Sequence, residues 1–140
     1  MLPVKRLLET ALYVSDVERA ERFYIDVFAF RPIPPDSGPR NPVFRPLEIP
    51  GGGILLLFLK GSTADTLVLP GGTIPPHGSE GEGHLAFAVD QLNGWQEHLD
   101  ALGVRIEGRM KWPRGGESCY FRDPDGNLLE LATPGIWQSH

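Results

Sequence analysis

The chain has little cysteine, no long apolar stretch and no cluster of basic residues, and each absence excludes a class of protein. The single cysteine, Cys119, excludes an internal disulfide and a cysteine-rich zinc site. The longest apolar run, residues 54–59, is far too short to cross a bilayer, which predicts no membrane partner. The first six residues lack the apolar core of a signal peptide, so a cytoplasmic protein is expected. The net charge of -5 comes without a basic cluster, which predicts no nucleic-acid partner.

Glycine and proline, by contrast, are abundant, with 17 and 14 of the 140 residues. Their combined share in an average protein is roughly 12%. They concentrate in residues 31–50 and 70–83, between segments of clear hydrophobic patterning. The length fits one domain over 1–140. We divide it into a first module over about 6–60, a linker over about 70–83 and a second module over about 84–133.

The first module begins with a strand and a helix. Residues 8–14 alternate between apolar and polar side chains, which is strand periodicity, and residues 17–28 repeat apolar side chains on one helical face. Ser15 is the predicted N-cap of this helix, with Glu18 as its capping-box partner.

Two further strands complete the first module. Residues 43–49 are predicted as an edge strand. Pro46 has no backbone N–H, so it cannot donate the hydrogen bond that a central strand would make to its second neighbouring strand. Residues 54–60 follow three glycines and are predicted as a better-defined strand.

The second module repeats this order. Strands are predicted over 84–89, 104–107, 118–122 and 127–132, and a helix over 90–102 that ends at Gly103. The last two strands are joined by Asp-Pro-Asp-Gly at 123–126, a type I turn signature.

Residues 9–14 and 84–89 align at an offset of 75, and each is followed by an acidic residue and a helix. This repeat predicts an α+β fold of two βαβββ modules, whose mixed sheets form a cup with the helices outside. Whether the cup forms within one chain or across a dimer is left open. Sheet edges available for pairing predict a homodimer.

Strand parity places one ionisable residue of each of three strands on the face opposite the helices: Glu9, His84 and Glu130. An alanine lies two residues beyond each, which leaves space beside the polar group. Charged side chains in a half-buried sheet are costly unless they are paired or bind a metal. One interpretation is therefore a divalent metal site. The other is that this face is wet and the three residues are solvated.

Three segments carry a family resemblance: ETALYVSD at 9–16, GHLAFAV at 83–89 and YFRDPDGNLLEL at 120–131. They resemble the vicinal oxygen chelate superfamily, which includes glyoxalase I, bleomycin-resistance proteins, fosfomycin-resistance enzymes and extradiol dioxygenases. The resemblance covers nearly the whole chain, and it implies the same paired βαβββ cup.

The resemblance also implies a metal site. His84 matches the histidine that opens the second module of metal-binding members, Glu130 matches their last-strand glutamate, and Glu9 matches a first-strand ligand. The fourth ligand of glyoxalase I has no counterpart in residues 54–60, which offer only apolar side chains and a lysine. The implied site holds one divalent ion (Zn, Mn, Ni, Co or Fe) on Glu9, His84 and Glu130, with Glu130 and Glu9 as catalytic carboxylates.

The expected function is that of a metal-dependent, glyoxalase-like lyase or isomerase acting on a small-molecule substrate chelated through vicinal oxygens. The alternatives are a non-catalytic small-molecule binding or resistance protein and an extradiol-type dioxygenase. One histidine with two glutamates departs from the two-histidine, one-carboxylate iron site, which disfavours the dioxygenase.

Four residues are predicted to contact the substrate: Tyr13, Arg114, Ser118 and Tyr120. Ser118 and Tyr120 share a strand face, and Arg114 lies in a glycine-rich loop that could hold an anionic group. His77, in the linker, is interpreted as a solvated loop residue.

Overall fold

The protein is described here by a computed structural model covering residues 2–140. The described chain forms two compact units, which meet in sequence at Glu80 and Gly81. Each unit contains one βαβββ module, as the internal repeat predicts. Within residues 2–140 the longest helix has 12 residues, and none is long and apolar enough to span a membrane.

The described part of the first unit contains six strands and one helix. In chain order they are β1 (Glu9–Val14), α1 (Val17–Phe28), β2 (Arg31–Pro32), β3 (Phe44–Glu48), β4 (Ile54–Leu59), β5 (Leu67–Leu69) and β6 (Gly72–Ile74). Four strands form a sheet in the order β1-β4-β3-β2, in which β1 and β4 are parallel and the other pairs antiparallel. The last two strands form a separate hairpin, so part of the predicted linker is structured.

Helix α1 begins one residue later than predicted. Its N-cap is Asp16, whose side chain accepts a hydrogen bond of 3.0 Å from the Arg19 backbone N–H. Ser15, the predicted cap, instead accepts a hydrogen bond from the Arg19 guanidinium at 2.9 Å. Aspartate caps a helix as well as serine does, so the residue types alone could not choose between two adjacent candidates.

Strand β3 is not the edge strand that Pro46 predicted. It pairs with β4 along its whole length and with the two-residue β2 on its other side. Pro46 is accommodated because it contributes only its carbonyl, which accepts a hydrogen bond of 3.0 Å from the Ile33 N–H.

The core of the first unit lies between α1 and one face of the sheet. Its fully buried apolar side chains are Val14, Ala20, Tyr24, Leu47, Leu55 and Leu57. The same unit also buries an ion pair, in which Arg45 Nε lies 3.7 Å from Glu21 Oε2 and both residues are nearly inaccessible. Arg40 contacts the same glutamate carboxylate.

The second unit repeats the topology with β7 (His84–Ala88), α2 (Trp95–Ala101), β8 (Gly108–Lys111), β9 (Glu117–Arg122) and β10 (Leu128–Ala132). The strand order β7-β10-β9-β8 matches that of the first sheet, and the first and last strands are again parallel. Its core contains Leu99, Cys119, Phe121, Leu129 and Leu131.

Two elements of the second unit differ from prediction. Helix α2 begins at Trp95 rather than at residue 90, because Gly94 before it has a left-handed backbone with φ 83°. The predicted strand over 104–107 is absent, and β8 begins at Gly108. The turn at 123–126 is confirmed, closed by a 3.1 Å hydrogen bond from the Gly126 N–H to the Asp123 carbonyl.

Candidate metal centre

The parallel pairing of β7 and β10 brings His84 and Glu130 together. His84 lies opposite Leu128 in the ladder, and Glu130 lies two residues further along the same strand. The His84 Nε2 atom is 3.2 Å from Glu130 Oε1. The glutamate is 6% exposed, whereas the histidine side chain is 48% exposed. The carboxylate therefore sits at the bottom of the site and the imidazole at its accessible side.

The orientation of the His84 ring is fixed by the backbone of the neighbouring strand. Its Nδ1 atom is 3.0 Å from the Leu128 carbonyl oxygen. A carbonyl oxygen can only accept a hydrogen bond, so Nδ1 carries the proton and donates it. Nε2 is thereby directed at Glu130 Oε1, and in the neutral imidazole it presents a lone pair. Metal-ligating histidines are held in this way by a second hydrogen bond on the other ring nitrogen.

The Glu130 carboxylate is held equally firmly, through its other oxygen. Oε2 accepts a hydrogen bond of 2.6 Å from the Ser118 hydroxyl. The Ser118 oxygen in turn accepts a hydrogen bond of 2.8 Å from the Trp112 indole N–H. Oε1 is therefore the oxygen directed at His84.

The His84–Glu130 pair has the spacing that a shared ion requires. Two atoms each about 2.1 Å from one ion, at a ligand angle of about 100°, are about 3.2 Å apart. The observed separation of 3.2 Å between Nε2 and Oε1 fits this without rearrangement. An imidazole nitrogen with a carboxylate oxygen suits Zn, Mn, Ni, Co and Fe.

A complete ligand set is not assembled within the described chain. Among residues 2–140, no group of three or more histidine, cysteine, aspartate or glutamate side chains lies close enough to hold a metal. Glu9, the third predicted ligand, is exposed at the start of β1 in the first unit. Its convergence with His84 and Glu130 stays a prediction.

Two of the predicted substrate residues lie beside the His84–Glu130 pair. Tyr120 is directly opposite Glu130 on β9, and its ring is 6.4 Å from that of His84. Burial, and then the negative charge of Glu130, raises the pKa of Tyr120, so its hydroxyl stays protonated. Ser118 is only 1% exposed, and its hydroxyl is bonded to Trp112 and Glu130.

Tyr13 lies in the first unit, in a cluster of aromatic rings. Its ring stacks on Phe58 at 5.9 Å, and Phe58 stacks on Phe44 at 4.8 Å. Its hydroxyl is 2.6 Å from His77 Nδ1. The His77 ring also packs against Phe58 at 4.9 Å, and its backbone is tied to Thr63. His77 is exposed as predicted, but it is ordered by these contacts rather than simply solvated, which no local sequence signal reveals.

Arg114 lies on an exposed turn, which is closed by a 2.8 Å hydrogen bond between the Trp112 N–H and the Gly116 carbonyl. Its side chain lines a surface cavity with Ile136 and Trp137. Cys119 is buried, and this burial raises the pKa of its thiol, so the residue contributes to packing rather than acting as a nucleophile.

Comparison with known proteins identifies the family. The Glyoxalase/Bleomycin resistance protein/Dioxygenase superfamily matches residues 6–131. The chain belongs to this superfamily. The match includes Glu9, His84 and Glu130.

Several similar proteins are named lactoylglutathione lyase or glyoxalase I. A crystal structure of lactoylglutathione lyase from Agrobacterium tumefaciens superposes with a TM-score of 0.83 at 31% identity, covering 98% of this chain and 99% of that one. Lactoylglutathione lyase of Haemophilus influenzae is 28% identical over 134 residues, 90% of each chain. Glyoxalase I of Saccharomyces cerevisiae is 27% identical over 150 residues, covering 94% of this chain. The match spans only 45% of the yeast protein.

The two modules of this superfamily chain can be compared position by position. In the first, Glu9 is opposite Ile54 and Ala11 opposite Leu56. In the second, His84 is opposite Leu128 and Ala86 opposite Glu130. The offset of 75 makes Glu9 equivalent to His84 and Ala11 equivalent to Ala86. Because Leu56 is opposite Ala11 and Glu130 is opposite Ala86, Leu56 is the structural equivalent of Glu130. The position that corresponds to the fourth ligand of glyoxalase I, expected within 54–60, is therefore Leu56, whose side chain has no atom that can bind a metal.

Proposed function

We propose that this protein is a metal-dependent enzyme, a glyoxalase-like lyase or isomerase acting on a small substrate that chelates through vicinal oxygens. The observation that carries the proposal is the His84–Glu130 pair. Nε2 and Oε1 are 3.2 Å apart, and the other polar atom of each side chain is held by a hydrogen bond. Such a prearranged nitrogen–oxygen pair supports ion binding more than it supports a solvated sheet face.

Glu9 is the proposed third ligand. It occupies in the first module the position that His84 occupies in the second, and it points away from the buried Leu12 and Val14 side chains of its strand. Together with Glu130 it would neutralise the charge of a divalent ion. The carboxylate can come from the same chain or from a second copy in the proposed homodimer.

The chemistry follows from which atoms remain accessible. A bound divalent ion would polarise a substrate carbonyl and make the adjacent C–H more acidic. Glu130 Oε1 is the carboxylate oxygen directed into the site; on leaving the ion it would take the proton from that carbon and return it to the former carbonyl carbon, while the substrate hydroxyl proton passes to the other substrate oxygen. Tyr120 keeps its proton; its hydroxyl hydrogen-bonds with Ser118 and Glu130, and it would donate to a substrate oxygen by exchanging one of these bonds. Proton transfer between adjacent carbons is an isomerisation, consistent with the lyase names of the relatives.

Metal analysis of protein purified without a histidine tag tests the proposal. The protein is stripped with chelator and titrated separately with Zn, Mn, Ni, Co and Fe(II). One ion per site with a Kd in the micromolar range or tighter is expected. Formation of lactoylglutathione from methylglyoxal and glutathione should then depend on the added ion. Protein that binds none of the five ions contradicts the proposal.

A non-catalytic binding protein is the second candidate, and the aromatic cluster of Tyr13, Phe44, Phe58 and His77 favours it. Stacked rings with one polar edge suit the planar part of a small molecule. A binder of this kind needs no ion. Tight binding of an aromatic compound that is unaffected by chelator, without turnover, would favour this alternative.

A further inference from the structure

A series of hydrogen bonds outside the proposed ligand set ends on the Glu130 carboxylate. The Trp112 indole Nε1 is 2.8 Å from the Ser118 oxygen, and that oxygen is 2.6 Å from Glu130 Oε2. Trp112 precedes β9, Ser118 lies within it, and Glu130 lies on the adjacent β10. The series therefore crosses from a turn through one strand to the next.

The donor and acceptor types set the direction of the bonds among these three residues, and the Tyr120 hydroxyl also hydrogen-bonds with Ser118 and Glu130. An indole N–H can only donate, so the Ser118 oxygen accepts it. The serine hydroxyl must then direct its own proton to the carboxylate, which can only accept while it is ionised. Ser118 is 1% exposed and Glu130 6% exposed, so water competes little for these bonds. The direction and the geometry are therefore both fixed.

The position of Trp112 is itself set by the backbone. Its N–H bonds the Gly116 carbonyl at 2.8 Å, and its carbonyl accepts from the Gly115 N–H at 2.9 Å. Gly116 packs so closely against Gly135 that an added Cβ would lie 2.6 Å from the Gly135 carbonyl carbon. The tight turn is thus pressed against the segment after β10, which leaves the indole little freedom to move away from Ser118.

We propose that Trp112 and Ser118 are positioning residues, which hold Oε2 of Glu130 and present Oε1 alone to an ion and substrate. The inference rests on the proposed function and deepens it. Without the Ser118 hydrogen bond the carboxylate could rotate, and either oxygen could turn toward His84 or pair with it in a different geometry. Ser118, predicted from the sequence to contact substrate, acts in this proposal through Glu130 instead.

Zinc affinity of tag-free protein tests the inference without reference to turnover. The variants are Ser118→Ala, Ser118→Thr and Trp112→Phe, and Ser62→Ala is the matched control, because that hydroxyl also makes a 2.7 Å hydrogen bond but in the first unit. Loss of an outer-shell partner typically weakens metal affinity about 10- to 100-fold. Ser118→Ala should fall in that range. Ser118→Thr, which keeps the hydroxyl, and the Ser62→Ala control should stay within about threefold of the parent protein. Trp112→Phe should lie between.

The outcomes separate this inference from the proposed function. If the parent protein binds none of the five candidate ions, both fail. If it binds zinc and Ser118→Ala binds equally tightly, the positioning role fails alone. Circular dichroism and thermal unfolding establish that each variant is folded. Should Ser118→Ala fail to fold, Trp112→Phe decides the matter, since an unchanged zinc affinity in that variant overturns the inference.

Discussion

Replacing Glu130 by Gln should separate metal binding from stability. Glutamine keeps the size of the side chain, and its amide oxygen can still accept the hydrogen bond that Ser118 donates to the carboxylate at 2.6 Å. Its amide NH₂ can donate to the Nε2 lone pair of neutral His84, at the position where Oε1 now lies 3.2 Å away. The substitution therefore retains one hydrogen bond and gains another in the metal-free protein.

The expected changes in stability and in metal affinity follow from these hydrogen bonds and from the lost charge. A net hydrogen bond contributes about 1 kcal/mol, so the free energy of unfolding of metal-free Glu130→Gln should lie within about 1 kcal/mol of the parent. Metal affinity should fall at least tenfold, equivalent to about 1.4 kcal/mol, because a charged ligand atom is lost. The two quantities should thus respond very differently to one change.

Urea unfolding in chelator measures the first quantity, and zinc titration by calorimetry measures the second. Glu117→Gln is the matched control, because Glu117 is an exposed carboxylate on the adjacent strand β9. It should leave both quantities unchanged. Parent-like zinc affinity in Glu130→Gln refutes the metal assignment. A loss of more than about 2 kcal/mol of stability refutes the hydrogen-bond account of the buried carboxylate.

Four further predictions concern the rest of the molecule. Glu21→Gln leaves the buried Arg45 guanidinium without its closest buried charge partner and should cost about 3 kcal/mol in urea unfolding, and a cost under 1 kcal/mol would contradict the importance of this ion pair. Gly116→Ala places a methyl group 2.6 Å from the Gly135 carbonyl carbon, so it should lower the melting temperature by several degrees, as differential scanning calorimetry can measure. Tyr13→Phe removes a 2.6 Å hydrogen bond on an accessible face and should change KM or ligand affinity several-fold at nearly constant stability, whereas an effect on stability alone would argue for a purely structural role. Light scattering at micromolar concentration should give the mass of a dimer, and a monomer would count against the proposed homodimer.

The pattern of the sequence was sufficient to predict both modules and the shared sheet face of His84 and Glu130. Strands β1 and β7 alternate clearly enough to reveal the repeat, and the topology confirms it. Parity on β7 and β10 placed His84 and Glu130 on one face, and the parallel register brings their polar atoms within 3.2 Å. Hydrophobic periodicity predicts the facing of these residues because only one face of each strand is buried, and a slip of one residue would turn the apolar side chains to the other face.

The contacts that orient these residues could not be predicted in the same way. The bond from Trp112 to Ser118 depends on the exact shape of a glycine-containing turn, which periodicity does not describe. His77 reaches Tyr13 from a segment without repeating pattern. The late start of α2 depends on the left-handed backbone of Gly94, which overrides an otherwise helical pattern.

The hydrogen bond between His84 Nδ1 and the Leu128 carbonyl would also tie binding of the proposed ion to the folding of the second sheet. A slip of β10 by one residue would turn Glu130 toward the helix side and bring a leucine in its place. A mispaired chain would then lack the prearranged donors, so an ion that binds only the correctly paired sheet stabilises that sheet selectively. In that sense the proposed cofactor would act as a template during assembly, favouring correctly registered molecules over competing pairings before any substrate arrives.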